Sequence, residues 1–218
     1  MAPSQILQSW PEVLMTATAF LLLVVYHLHL YRIVRKHPLE TSLGITNHVR
    51  RKWVESVMHE KRDIMAVQTM RNLVMAANFL ASTAILISLG LLSFAFQPGL
   101  YAEITHAWYL QGAPSETLWI FKLLILAMLF FSAFFNFTLA IRYYNHAGLM
   151  INISESHDPD ITAASVAEVF NHGALHYTMG MRGYYLSIPM VLWLFGPLWM
   201  LGGTFALVAI LYRLDREA

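Results

Sequence analysis

Cysteine is absent from this chain, which excludes structural disulfides, thiolate zinc sites, iron–sulfur clusters and cysteine nucleophiles together. Any metal bound here must use imidazole, carboxylate or backbone oxygen. Charge is also scarce, at 12% of residues, and no Asp or Glu falls inside the four longest apolar stretches. That absence argues against a carrier coupled to protons through a mid-membrane carboxylate. Missing too is a basic segment ahead of the first apolar run, since Met1–Pro11 has neither Lys nor Arg and no small-residue cleavage site follows. The first run is therefore expected to stay as a span and not to leave as a signal peptide.

What remains is largely hydrocarbon: 57% of the 218 residues are hydrophobic. The apolar stretches 13–34, 73–96, 118–141 and 184–212 are each long enough to cross roughly 30 Å of hydrocarbon as a helix. The fold expected is a single all-α integral membrane domain, residues 1–218, with four transmembrane helices. Its links, about 35–72 and 142–183, are expected to be long cytoplasmic helical extensions. The net charge of +1 says little, but its placement is lopsided. Of 14 Lys and Arg residues, nine lie between Arg32 and Arg71, and Arg142 and Arg182 flank the third connection. By the positive-inside rule both links face the cytoplasm, which puts the N- and C-termini outside, in what is expected to be a bacterial inner membrane.

In the first link, Thr46 or Asn47 can cap a helix that meets no Gly or Pro until Gly90. Unbroken from 49 to 96 it would measure roughly 70 Å. Two other arrangements stay open: a bend that lays its basic half on the inner membrane surface, or packing against the helix of the second link. That second link breaks at Asn152–Asp160, after which Asp160 or Thr162 caps a helix running into the fourth span. Pairs such as Asn47-His48 with Asn171-His172, and Thr69-Met70 with Thr178-Met179, suggest a duplicated two-span unit. Pro197, central in the fourth stretch, removes a backbone donor and frees the carbonyl of Trp193, so a kink is expected there.

Polar side chains near the inner boundary are the candidate site. Asn78, Asn136, Arg142, Asn145 and His146 lie within or just inside the spans, where burial without partners costs a few kcal/mol. Arg142 and His146 are one helical turn apart, suited to an aqueous vestibule or an anionic headgroup. The strongest chemical pattern is Glu168-x3-His172-x3-His176, with one carboxylate and two imidazoles on one helix face. His59-x3-Asp63 on the other link could complete a divalent-metal site, although the Glu-x2-His spacing of di-iron bundles is missing. Hydrogen-bonded structural histidines are the plainer explanation. Haem is not expected: His27, His29 and His146 share a depth, but no Gly stands opposite to admit a macrocycle.

The stretches Gly44-Ile-Thr-Asn47 through Trp53-Val54, Val67-Gln-Thr-Met-Arg71-Asn72, Phe135-Asn-Phe-Thr138 through Arg142, and Gly180-Met-Arg-Gly-Tyr-Tyr185 resemble the DUF599 family, uncharacterised membrane proteins of bacteria and plants. The resemblance implies four spans and no established activity. Its motif positions fall at the inner boundary, where Arg71, Asn72, Arg142, His146, Arg182 and Tyr185 would form a ring contacting lipid or ligand.

Three readings follow. The first is a binding or accessory membrane protein, a subunit of a larger complex, whose partners are membrane lipids and other membrane subunits. The second is a metal-binding protein or metalloenzyme using His59, Asp63, Glu168, His172 and His176. The third is a small-solute transporter of parallel-repeat type with its path near Asn78 and Asn136. No catalytic motif is present, and no nucleic-acid partner is expected.

Overall fold

The computed structural model describes residues 3–99, 101–103, 115–153 and 160–216, with backbone alone for 3–9, 11 and 63. Every long element among them is an α-helix: α1 (Pro3–Lys36), α2 (Ser42–His59), α3 (Asp63–Ala95), α4 (Glu116–Met150), α5 (Ala163–Phe195) and α6 (Pro197–Leu214). Four helices are long and apolar enough to cross a membrane, at Glu12–Lys36, Ile64–Ala95, Glu116–Met150 and Pro197–Leu214. Only 17–39% of their most apolar windows is buried within the protein. The rest is an apolar outer surface that lipid, and not water, suits. This is an integral membrane protein.

Side-chain caps set several boundaries. Ser115 accepts from the Leu118 amide at the start of α4, and Thr162 and Ser165 form a reciprocal capping box at the start of α5. Thr162 is thus the cap of the two expected, although most of the turn before it, 154–159, lies outside the described residues. The first link departs from expectation. Its helix begins earlier, capped by Thr41 through the Gly44 amide, because a short 3-10 turn at Pro38–Glu40 folds the chain back after α1. A Cβ on residue 44 would overlap the Pro38 carbonyl, so this return admits only glycine.

Nor is the link one unbroken helix. It stops at His59 and restarts at Asp63, with Lys61 between them at φ 52°. Holding a non-glycine residue in the left-handed region costs about 1–2 kcal/mol. The break lets α2 fold against α5, burying Val54 and Val57 completely beside Val166, Ala167 and Phe170. At about 1.5–3 kcal/mol for each buried valine, the packing outweighs the strain. Of the arrangements left open by the sequence, α2 adopts the packed one.

The largest correction concerns the fourth apolar stretch. Residues 184–212 are not one kinked span but the two arms of a helical hairpin. At Gly196, φ is 145° and ψ 162°, a backbone that L side chains rarely adopt. Pro197 then occupies the first turn of α6, where a missing N–H costs nothing. The arms run antiparallel: Arg182 pairs with Asp215, and a Cβ on residue 203 would collide with the Leu192 side chain.

The lysine–carbonyl contact at the tip explains how the turn is satisfied. Pro197 leaves the Trp193 carbonyl without its helical donor, and buried Lys122 of α4 supplies one, Nζ to O at 2.8 Å. Its ammonium also lies 4.8 Å from the centre of the Trp193 ring.

Direction therefore alternates along the chain. α3, α4, α5 and α6 each reverse the last, and α1 runs parallel to α6, with Phe20 against Trp193 near the hairpin tip and Tyr26 bonded to Asp215 at its base. The start of α1 and the end of α6 consequently lie at opposite ends of the bundle. The hairpin adds one reversal that a single kinked span would lack. Arg213 and Arg216 move to the end that carries the links, which then holds every Lys and Arg except Lys122.

The core has two main parts. One, between the apolar helices, contains Leu126, Phe130, Phe137, Met190, Trp193, Met200 and Leu207. The other, at the basic end, joins α2 and the start of α5 to the start of α3 and the end of α4 through Val54, Val57, Met70, Tyr144 and Phe170. α4 packs along both α3 and α5, whereas α1 rests chiefly on α6. A duplicated unit would instead set α1 against α3 as α4 lies against α5.

Candidate functional site

The six residues expected to form one ring separate into two groups. Arg71 and Asn72 on α3, and Arg142 and His146 on α4, are all exposed. They share a level near the end of α4, since Met70 packs at Gly148. Arg182 and Tyr185 lie elsewhere. Gly180 meets Phe137 and Gly183 meets Ala133, so Arg182 stands about ten residues back along α4 from that level, roughly 15 Å deeper into the apolar part.

At this deeper level the hairpin assembles a polar cluster. Arg182 donates from Nη2 to both carboxylate oxygens of Asp215, at 2.7 and 2.9 Å. The Tyr26 hydroxyl donates to the same carboxylate from α1, and the Asp215 carbonyl accepts from the Ser42 amide at the start of α2, at 3.1 Å. One aspartate thus ties α1, α2 and α5 to the end of α6. The side chains of Arg182 and Asp215 are 17% and 19% exposed, which makes the pair largely desolvated and its geometry consequential.

Arg182 Nη1 is left over: it is buried and has no hydrogen-bond partner. The same arginine lines a cavity of about 310 Å³ between α5 and α6, with Tyr177, Thr178, Tyr185 and Asp215 on its wall. A buried guanidinium nitrogen without an acceptor is costly, and the cavity beside it has room for a phosphate, carboxylate or carbonyl group next to the Arg182 side chain. Arg213 and Arg216 at the end of α6 leave the surroundings positive, with Arg216 lying over the Tyr212 ring.

The residues expected to bind metal are placed differently. Glu168 and His172 are exposed on α5, and His59 is exposed at the end of α2, while the Asp63 side chain lies outside the described residues. His176 is partly buried, with Nδ1 3.1 Å from Asn136 Oδ1 and its ring stacked on Tyr143 at 5.5 Å. Opposite Asn171 on α2 stands Arg50, whose Nη1 donates to Asn171 and Asn47 at 3.1 and 2.6 Å. His59 is two and a half turns further along, roughly 13 Å away in the axial direction. Among the described residues, no group of three His, Asp or Glu side chains could hold one ion. Burial holds the Arg50 pKa below its usual value, yet with amide oxygens as partners it keeps a place between the two links.

Asn136 is thus occupied by His176 and by its own helix, donating to Ser132 O at 2.9 Å, while Asn78 is exposed on α3. His27 and His29 line different cavities, and His146 is exposed on α4. Sequence reasoning did not single out Tyr26, Asp215 or Lys122 as site residues. For Lys122 a signal existed, a lone cation near one end of a span and a carbonyl freed by Pro197. For Asp215 there was none, because its partner is reached only through the turn at Gly196.

Comparison with known proteins adds one match. A family model described as a protein of unknown function, DUF599, covers residues 14–218. No curated protein and no solved structure matches.

Proposed function

Because the chain belongs to the DUF599 family, whose description assigns no activity, we propose its role from its own geometry: a membrane-embedded binding or accessory protein that holds the phosphate of an anionic lipid at the Arg182 cavity. The observation that carries this reading is the Arg182 side chain on the wall of a cavity that also offers tyrosine and threonine hydroxyls. Arginine suits planar, multi-donor recognition of phosphate better than lysine does.

Supporting a cytoplasmic placement of this end is the charge distribution, since all cationic side chains but Lys122 gather there. In that orientation the end of α6 faces the cytoplasm and the start of α1 faces out. Anionic lipid of the inner leaflet would then meet Arg71, Arg142, Arg213 and Arg216 at the surface, each attracting it by about 1 kcal/mol. Arg182 would take the phosphate deeper, and the exposed faces of α2 and α5 would remain for another membrane subunit.

The test is native mass spectrometry of protein released from nanodiscs of mixed phosphatidylglycerol and phosphatidylcholine. Retained phosphatidylglycerol should fall about tenfold in Arg182→Gln and in Tyr185→Phe with Thr178→Val, and little in Arg142→Gln. Equal retention in all variants, or no preference for the anionic lipid, would overturn the reading.

A further inference from the structure

α3 stands at one edge of the bundle and packs chiefly on α4. The face it turns to α4 is made of small residues: Ala81 and Ala84 lie in the shared core, and Ser88 donates to the Ala127 carbonyl at 2.9 Å. With about 100° between successive residues, the opposite face carries Met75, Asn78, Ser82, Leu86 and Leu89, and all five are exposed. Two of them, Asn78 and Ser82, are polar and one turn apart in an otherwise apolar stretch.

The Tyr184 hydroxyl donates to the Leu80 carbonyl at 2.8 Å, which sets Asn78 near the depth of Arg182. It lies seven residues past Arg71, roughly 10 Å further into the apolar part. Among the described residues, no group donates to the Asn78 amide or accepts from it, and the Ser82 hydroxyl is equally unmet. Asn136 on α4 shows what the same side chain does where the fold provides for it, with Oδ1 at His176 Nδ1 and Nδ2 donating to Ser132 O. An amide carries two N–H donors and an acceptor, and leaving them unmet in hydrocarbon is costly. Polar side chains in spans are ordinarily satisfied by a neighbouring helix.

A second copy of this chain supplies such a helix. Copies of one chain share an orientation in the membrane, so a two-fold axis along the membrane normal sets α3 parallel to its mate, with the two Asn78 side chains at one depth. Each amide then donates from Nδ2 to Oδ1 of the other, the reciprocity that an isologous contact provides. Ser82, one turn away, is small enough to let the two backbones approach. From Asn72 to Ala95 the helix has no charged residue, so the axis brings no like charges together in hydrocarbon. Arg71, two turns before Asn78, reaches the membrane surface along its own aliphatic stem. A lipid acyl chain has neither donor nor acceptor to offer. We propose that this face of α3 is a homodimer contact, in which two copies pack through Met75, Asn78, Ser82, Leu86 and Leu89 and the Asn78 amides bond to each other across the axis. The contact is separate from the Arg182 cavity between α5 and α6.

The chain has no cysteine, so Met75→Cys or Ser82→Cys places a single thiol on the seam with Asn78 intact. Oxidation of the full chain in liposomes with copper phenanthroline should give a covalent dimer from each, and none from Val24→Cys, which is equally exposed but on α1. Energy transfer between chains labelled at Gln97→Cys, followed as added lipid dilutes them, reads the association itself. Asn78→Leu should raise the dissociation constant about tenfold, the effect of two hydrogen bonds of ordinary strength inside a membrane. The replaced side chain is on the outer surface, so the fold of each copy is unaffected. A chain that stays monomeric at every dilution, the result expected if another protein covers α3, would overturn the proposal. So would a dimer indifferent to Asn78→Leu, or crosslinking from Val24→Cys as strong as from Ser82→Cys. Arg182→Gln should dimerise as wild type does, so failure of the phosphate site and failure of this contact are separable.

Discussion

Arg182 and Asp215 face each other across the hairpin, one guanidinium nitrogen donating to both carboxylate oxygens at 2.7 and 2.9 Å. Neither residue has any reason to meet the other unless the chain reverses between them. The pair therefore reports the turn at Gly196 as well as closing the base of α5 and α6.

Removing one partner leaves the other buried and unpaired. Asp215→Ala is expected to cost about 2–3 kcal/mol, toward the low side for a broken buried pair because each side chain keeps some exposure. Tyr26→Phe deletes one hydrogen bond and should cost about 1 kcal/mol. Thermal unfolding in detergent, followed by tryptophan fluorescence, should rank them in that order, and the double variant should cost less than the sum. Additive losses would mean that the three groups do not act as a cluster.

The hairpin predicts a sidedness that a single kinked span does not. Because the chain has no cysteine, single-cysteine variants can be labelled without background. Trp10→Cys and Arg213→Cys should react with membrane-impermeant maleimide from opposite sides of oriented vesicles. Labelling of both from one side would contradict the parallel course of α1 and α6.

Lys122 donates to the carbonyl that Pro197 leaves open. Lys122→Met keeps most of the aliphatic stem but removes the donor, so it should destabilise by about 1.5–3 kcal/mol. Replacing Pro197 with Ala in that background should restore part of the loss by supplying a backbone N–H near the turn. The readout is the unfolding midpoint of the two variants compared side by side.

Close helix contact makes a sharper test of packing. A Cβ at residue 180 would come within 2.7 Å of the Phe137 ring, so Gly180→Ala should cost about 1–3 kcal/mol by overpacking. Gly202→Ala, with nothing within 4 Å, should be neutral or slightly stabilising through helix propensity. Phe137→Leu should relieve the first variant, and equal effects of the two alanines would refute the packing explanation.

Much of this was legible in the chain. Hydrocarbon length gave the apolar helices, Thr162 was among the expected caps, and the carbonyl freed by Pro197 pointed to a local need that Lys122 meets. The break at Lys61 was not legible, since neither Gly nor Pro marks it and the gain comes from valines docking on a distant helix. The polar ring divided because equal nearness to a span's end does not mean equal depth once helices differ in length. Asn47 and Asn171 were paired by resemblance between halves, and they do meet, though Arg50 is what joins them.

Composition and periodicity alone determined that this protein lives in a bilayer as helices, because unpaired backbone amides are intolerable there and runs of apolar side chains exclude water. The folded chain alone decided how many times it turns back. Gly196 permits either a bend or a reversal, and the choice rests on contacts distant in sequence: Lys122 at the tip, Arg182 with Asp215 at the base, and the small residues between that let α5 and α6 lie together.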